Sequence, residues 1–140
     1  MMNKSVINLI IDLKYSCLAK EKKIITELNL SPAEYRGILS IVPGSEAQCN
    51  ILSKKMGLSV SRGSRVIDKL INNGYLNEIK SEKDQRVTNV VLTQKGIKTQ
   101  RKIHNLLEDC EQTILKNMTT PELEAFTASL KKISDILVTR

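Results

Sequence analysis

The sequence predicts a mainly α chain with one small β-hairpin (α+β), and three observations carry that expectation. Apolar residues recur at three- and four-residue spacing through both ends and much of the middle of the chain, the signature of amphipathic helices. Residues 75–92 instead hold two short β-prone runs around a polar turn, as a hairpin requires. Ser, Thr, Pro and Gly punctuate the periodic segments where helices would start and stop. No internal repeat and no Pro/Gly-rich linker interrupts the 140 residues, so 1–140 reads as a single domain.

The first helix runs from Val6 to Leu28, with Ile10, Leu13, Cys17, Leu18, Ile24 and Ile25 along its apolar side. Ser31-Pro32-Ala33-Glu34 opens the second: Ser31 caps the free N–H groups, Pro32 has no N–H to waste, and Glu34 completes a capping box. Tyr35, Ile38, Leu39 and Val42 continue it to a stop at Pro43-Gly44, and a third, short helix is expected from Glu46 to Met56, ended by Gly57. Ser59 caps a fourth, Val60 to Asn73, which stops at Gly74. Tyr75–Ile79 and Val87–Leu92 form the hairpin around a charged tip, Lys80 to Arg86. Thr93 caps a fifth helix carrying Ile97, Ile103, Leu106, Leu107 and Leu115. Thr119 or Thr120 caps a sixth, whose Leu123, Phe126, Leu130, Ile133 and Leu137 have coiled-coil-like spacing.

Charge narrows the function. There are 22 Lys+Arg against 15 Asp+Glu, a net +7 that favours polyanionic partners, nucleic acid before anionic membrane. Much of the excess is local: Lys54, Lys55, Arg62, Arg65 and Lys69 face one acid, Asp68. A single histidine, His104, leaves little for a His-based triad or metal site, and there is no Gly-rich phosphate loop or nucleophile elbow. An enzyme, a metal and a cofactor are therefore not expected. Three scattered cysteines, Cys17, Cys49 and Cys110, form no CxxC pair and read most simply as small core residues of a reduced, cytoplasmic protein. No apolar run is long enough for a membrane span.

A short helix, a glycine turn, an amphipathic helix and a charged hairpin follow in the order of a winged helix-turn-helix. On Val60–Asn73, at about 100° per residue, Gly63, Val66, Ile67, Leu70 and Ile71 share one side, opposite Ser61, Arg65, Asp68, Lys69 and Asn72, with Arg62 on the flank. A major groove admits one helix, which must bury one face on its own domain and offer short polar and Arg side chains on the other. Ser61, Arg62, Ser64, Arg65 and Lys69 are the candidate DNA contacts there, and Lys83 and Arg86 on the hairpin tip suit a narrow minor groove.

The runs Met56-Gly57-Leu58-Ser59, Val66-Ile67-Asp68-Lys69-Leu70, Asn73-Gly74-Tyr75-Leu76 and Ser81-Glu82-Lys83-Asp84-Gln85-Arg86, with Leu92-Thr93-x-x-Gly96, resemble the MarR family of bacterial transcription regulators. The resemblance extends over almost the whole chain. It implies a homodimeric regulator, a repressor of pseudo-palindromic double-stranded DNA, with 1–30 and 97–140 as dimerisation helices and 31–96 as the DNA-binding lobe. It also implies that Arg86 enters the minor groove while Asp84 helps hold it. A small aromatic or lipophilic effector would sit between the dimerisation helices and the lobe, where Tyr15 and Tyr35 are candidate lining residues. Oxidant sensing through cysteine occurs in the family, and Cys17 is the candidate for it. Two positions depart from the family pattern: Gly63 lies mid-helix at a cost of about 1 kcal/mol relative to Ala, and Leu52 stands where a small residue is common. The rival reading is a helical protein-interaction module that uses a winged helix as scaffold and binds an acidic partner through its basic face.

Overall fold

A computed structural model describes residues 5–80 and 88–138. Its order is α1 (Val6–Glu27), α2 (Pro32–Leu39), β1 (Ala47–Gln48), α3 (Cys49–Lys55), α4 (Val60–Asn72), β2 (Leu76–Lys80), β3 (Thr88–Leu92), α5 (Gln94–Lys116) and α6 (Thr120–Val138). The residues fall into two compact units, one up to Ile103 and one from His104 on. No described helix is long and apolar enough to cross a membrane.

Local chemistry sets most boundaries. Ser31 Oγ accepts from Glu34 N–H at 3.1 Å while Glu34 Oε1 accepts from Ser31 N–H at 3.0 Å, the capping box expected at α2. Ser59 Oγ accepts from Arg62 N–H at the start of α4. The cap of α6 is Thr119, whose hydroxyl and N–H pair with Glu122 N–H and Oε1. Hydrogen bonds to the carboxylate from the Thr119 backbone and then its side chain hold the exposed Glu122 carboxyl below its usual value.

Two expectations are corrected. The second helix ends at Leu39, not Val42, because Pro43 disfavours helical geometry at the residue before it. The carbonyls of Ile38 and Ile41 are instead taken by the buried side chain of Gln100 on α5, whose Nε2 donates to them at 2.8 and 2.7 Å. The third helix begins at Cys49, not Glu46, because Ala47 and Gln48 form a strand opposite Val90 and Asn89. The hairpin is thereby one part of a three-stranded antiparallel sheet, ordered β1-β3-β2, with Leu76 opposite Leu92 and Lys80 opposite Thr88.

The core of the first unit gathers Ile24, Leu30, Tyr35, Ile38, Ile41, Leu52, Met56, Ile67, Leu70, Leu76, Val90, Leu92 and Ile103, so every element from α1 to the start of α5 contributes except β1. Gly63 on α4 lies against Ser53 on α3, both buried. A Cβ on Gly63 would overlap the Ser53 side chain and come within 3.0 Å of its Cα. The glycine lets two helices touch by their backbones. Ser53, next to the bulky Leu52, is the small partner; its hydroxyl donates to Cys49 O at 2.9 Å and is the first atom that a Cβ on Gly63 would meet. The mid-helix cost expected of Gly63 is the condition for that contact.

The cysteines differ from expectation as well. Cys17 is exposed, and Cys49 and Cys110 are half-buried, so none is a fully buried core residue. Burial and then the carboxylates of Glu78 and Asp68 push the Cys49 thiol above its ordinary value, which disfavours its reactive thiolate.

Two outcomes follow from this packing. Gly63→Ala should lower stability by about 1–3 kcal/mol through overpacking, despite alanine's better helix propensity, and Ser53→Gly in the same chain should restore part of it. Urea unfolding midpoints check this, and an unchanged or raised midpoint for Gly63→Ala contradicts the crossing. Under limiting iodoacetamide at neutral pH, peptide mapping should find Cys49 alkylated several-fold more slowly than free cysteine in the same tube. Equal rates would remove the difference assigned to burial and the neighbouring carboxylates.

Candidate nucleic-acid interface

The candidate interface is built on α4 by the turn that precedes it. Gly57 adopts φ +74°, the left-handed conformation that ends α3 without side-chain strain, and its N–H donates to Lys54 O at 2.9 Å. Leu58 N–H donates to Ser53 O, closing the turn over the Gly63 contact. Arg36 on α2 braces the same corner, its Nε donating to Met56 O at 3.1 Å. Lys54 and Lys55 occupy the last turn of α3, where the helix dipole favours cations.

With Gly63, Ile67 and Leu70 buried, α4 turns Ser61, Arg62, Ser64, Arg65 and Lys69 to solvent. The structure therefore brings all five helix candidates onto one exposed surface. Lys69 has a neighbour the sequence did not suggest: its Nζ lies 3.9 Å from Glu34 Oε1, and the Glu34 side chain is buried while that of Lys69 is 66% exposed. The carboxylate that caps α2 thus also leans on α4. A cleft of about 270 Å³ runs beside the helix, lined by Asn50 and Cys49 of α3, Ser64 and Asp68 of α4, and Glu78 and Thr88 of the sheet.

The wing candidates Lys83, Asp84 and Arg86 lie outside the described residues. The base of the wing is described, and Asn89 Nδ2 donates to Glu46 Oε2 at 3.0 Å, tying β3 to the segment before β1. The two tyrosines have different surroundings. Tyr15 is 63% exposed on α1, with Lys14 Nζ 5.6 Å from its ring centre, whereas Tyr35 is 3% exposed in the core. Burial and then Glu21 raise the Tyr35 hydroxyl above its ordinary pKa. Cys17 is exposed on the same helix as Tyr15. No group of three or more His, Cys, Asp or Glu among the described residues is arranged to hold a metal ion.

Several positioning residues were not visible as such in the sequence: Ser53, Arg36, Glu34 in its contact with Lys69, and Gln100. Each acts across a separation of ten residues or more, and only Gly63, an otherwise unfavourable mid-helix glycine, hinted that something close lay opposite.

Residues 52–96 match the family described as winged helix DNA-binding domain. The chain is 30% identical over 70 residues, half of its length, to the HTH-type transcriptional regulator BilQ of Clostridium symbiosum, and the match spans about half (49%) of that protein's own length. It is 24% identical over 110 residues to the multiple antibiotic resistance protein MarR of Escherichia coli, covering 78% of this chain and 76% of MarR. The crystal structure of apo MarR superposes with a TM-score of 0.76 at 22% identity, over 95% of this chain and 98% of MarR. FabT of Streptococcus pneumoniae, crystallised in complex with DNA, superposes with a TM-score of 0.76 at 20% identity, over 93% and 96% of the two chains. Fold, turn geometry and these likenesses together show that the chain has the winged helix fold seen in MarR, with a winged helix DNA-binding domain at residues 52–96.

Proposed function

We propose that this protein is a sequence-specific transcriptional regulator of double-stranded DNA, a repressor acting as a homodimer on a pseudo-palindromic site. One observation carries the reading: α4 is buried on one side by Gly63, Ile67 and Leu70 and offers Ser61, Arg62, Ser64, Arg65 and Lys69 on the other. Arg in a major groove can donate two hydrogen bonds to guanine O6 and N7, and Ser and Lys reach base edges or phosphates. The DNA complex of FabT, a structural neighbour, supports the same use of the fold.

The homodimer is supported by apolar surface that a lone chain leaves in water. Val6, Ile7, Leu9, Leu13 and Leu18 on α1 and Phe126, Leu130 and Leu137 on α6 are all exposed, and α6 has no buried residue. On each helix, large apolar side chains left in water mark a face that another chain would cover. Two-fold pairing would set two α4 helices about one helical turn of DNA apart. In this reading Lys83, Asp84 and Arg86 serve the minor groove beside each α4. Release by a small aromatic or lipophilic effector, with Tyr15 and Tyr35 near its site, rests on the resemblance to the family; a ligand would act through different affinities for two spacings of the lobes.

Selection from a random duplex pool at fixed salt should enrich an inverted repeat, and Arg65→Ala should lose about 1–3 kcal/mol on it and relax one base position in each half. Recovery of no preferred sequence contradicts the proposal and favours an acidic protein partner. Arg86→Ala should weaken binding and reduce the slope of log affinity against log salt by about 0.9 for each phosphate charge it neutralises. An unchanged slope removes Arg86 from the DNA contacts.

A further inference from the structure

Three consecutive main-chain carbonyls follow the last turn of α4, and the opening of α5 supplies a donor to each. Asn73 O accepts from Lys95 Nζ at 2.7 Å, Gly74 O from the Thr93 hydroxyl, and Tyr75 O from Thr93 N–H at 3.0 Å. The Thr93 hydroxyl also accepts from Gly96 N–H at 3.0 Å, so its proton is directed at Gly74 and its lone pair at α5. Gly96 is needed because a Cβ there would collide with Tyr75 O. Lys95 completes the contact from outside, its ammonium 4.4 Å from the centre of the Tyr75 ring.

Lys95 is the charged member of this clamp. A cation at a helix C-terminus meets the negative end of the dipole, and a desolvating ring face strengthens its hold. Its hydrogen-bond partner lies just beyond the C-terminal end of α4, whereas the candidate DNA contacts run from Ser61 to Lys69, so it grips the helix at the end away from them. The orientation of α4 is then set at two points: the Gly63–Ser53 crossing near its start and this clamp at its end.

We propose that Lys95 is a positioning residue for DNA binding, fixing the angle at which α4 enters the groove by holding Asn73 and Tyr75 against the start of α5 without touching DNA. The inference rests on the DNA-binding reading, and two measurements separate their fates. The first needs no DNA: native-state amide exchange of Gly74, Tyr75 and Thr93 in the full chain. Lys95→Met should speed that exchange about tenfold, the loss expected of one charge-assisted hydrogen bond, and Lys95→Arg should restore most of it. Unchanged exchange in Lys95→Met overturns the clamp whatever the protein binds.

The second measures affinity for a selected duplex and for a random duplex over a range of salt. Lys95→Met should bind the selected duplex about tenfold more weakly, since a misdirected helix loses base contacts, while random-duplex affinity and the salt slope stay as in the wild type. Lys95→Arg should recover the selected-duplex affinity. A salt slope reduced by about 0.9 makes Lys95 a direct phosphate contact and overturns the positioning role, as does undiminished affinity for the selected duplex. If the wild-type chain selects no duplex, the DNA-binding reading fails, and with it the role assigned to Lys95, while the exchange data still decide the clamp.

Discussion

The geometry of the DNA-binding lobe depends on one close approach, the contact of Gly63 with Ser53. A helix that enters a major groove has to project beyond its own domain and still be held rigidly, and the force available is the burial of a narrow apolar stripe. On α4 that stripe is Gly63, Ile67 and Leu70, with Val66 and Ile71 half-buried at its edges. Because the stripe begins with a glycine, the backbone of α4 can rest on that of α3, and the neighbouring side chains on the far side stay in water. A larger residue at either position would lift the start of α4 and alter its angle to α2 and the sheet. The basic surface is a consequence of that crossing as much as of the charges on it.

A second constraint comes from α5, whose first turns organise the rest of the lobe by donating to backbone carbonyls beyond the ends of α2 and α4. Gln100 takes the carbonyls of Ile38 and Ile41 beyond the end of α2, and Thr93 and Lys95 take those that follow α4. A buried carbonyl without a donor costs about 1–3 kcal/mol, so the two buried Gln100 contacts fix the chain beyond α2, while those of Thr93 and Lys95 fasten the exposed end of α4. Ion pairing plays a smaller part. The Lys69–Glu34 contact is long, and the lysine is mostly solvated, so its contribution to stability is slight.

Features that depend on neighbours in sequence were legible in it. Ser31, Pro32 and Glu34 announced α2, Ser59 announced α4, and Gly57 and Gly74 marked turns that do adopt positive φ. The exposure of Ser61, Arg62, Arg65 and Lys69 on α4 followed from helical periodicity. What was hidden depends on partners far along the chain. Ala47 and Gln48 are a strand only because Val90 and Asn89 lie alongside, and Val42 leaves the helical pattern because of Pro43 and the demands of Gln100. Gly63 read as a defect because its partner, Ser53, is on another helix. The cysteines were misjudged for a related reason: a small apolar residue at a helix-like spacing is buried only if something covers that face, and the α1 face bearing Cys17 is uncovered within one chain.

The central claim is that α4 enters the major groove by its Ser61–Lys69 face. Methylation interference on a selected duplex tests this directly, since dimethyl sulfate marks guanine N7 in the major groove and adenine N3 in the minor groove. The account predicts that guanine N7 methylation blocks binding in two clusters about one helical turn apart, on one side of the duplex. Binding that tolerates every guanine N7 methyl group, with interference confined to adenine N3, would contradict it.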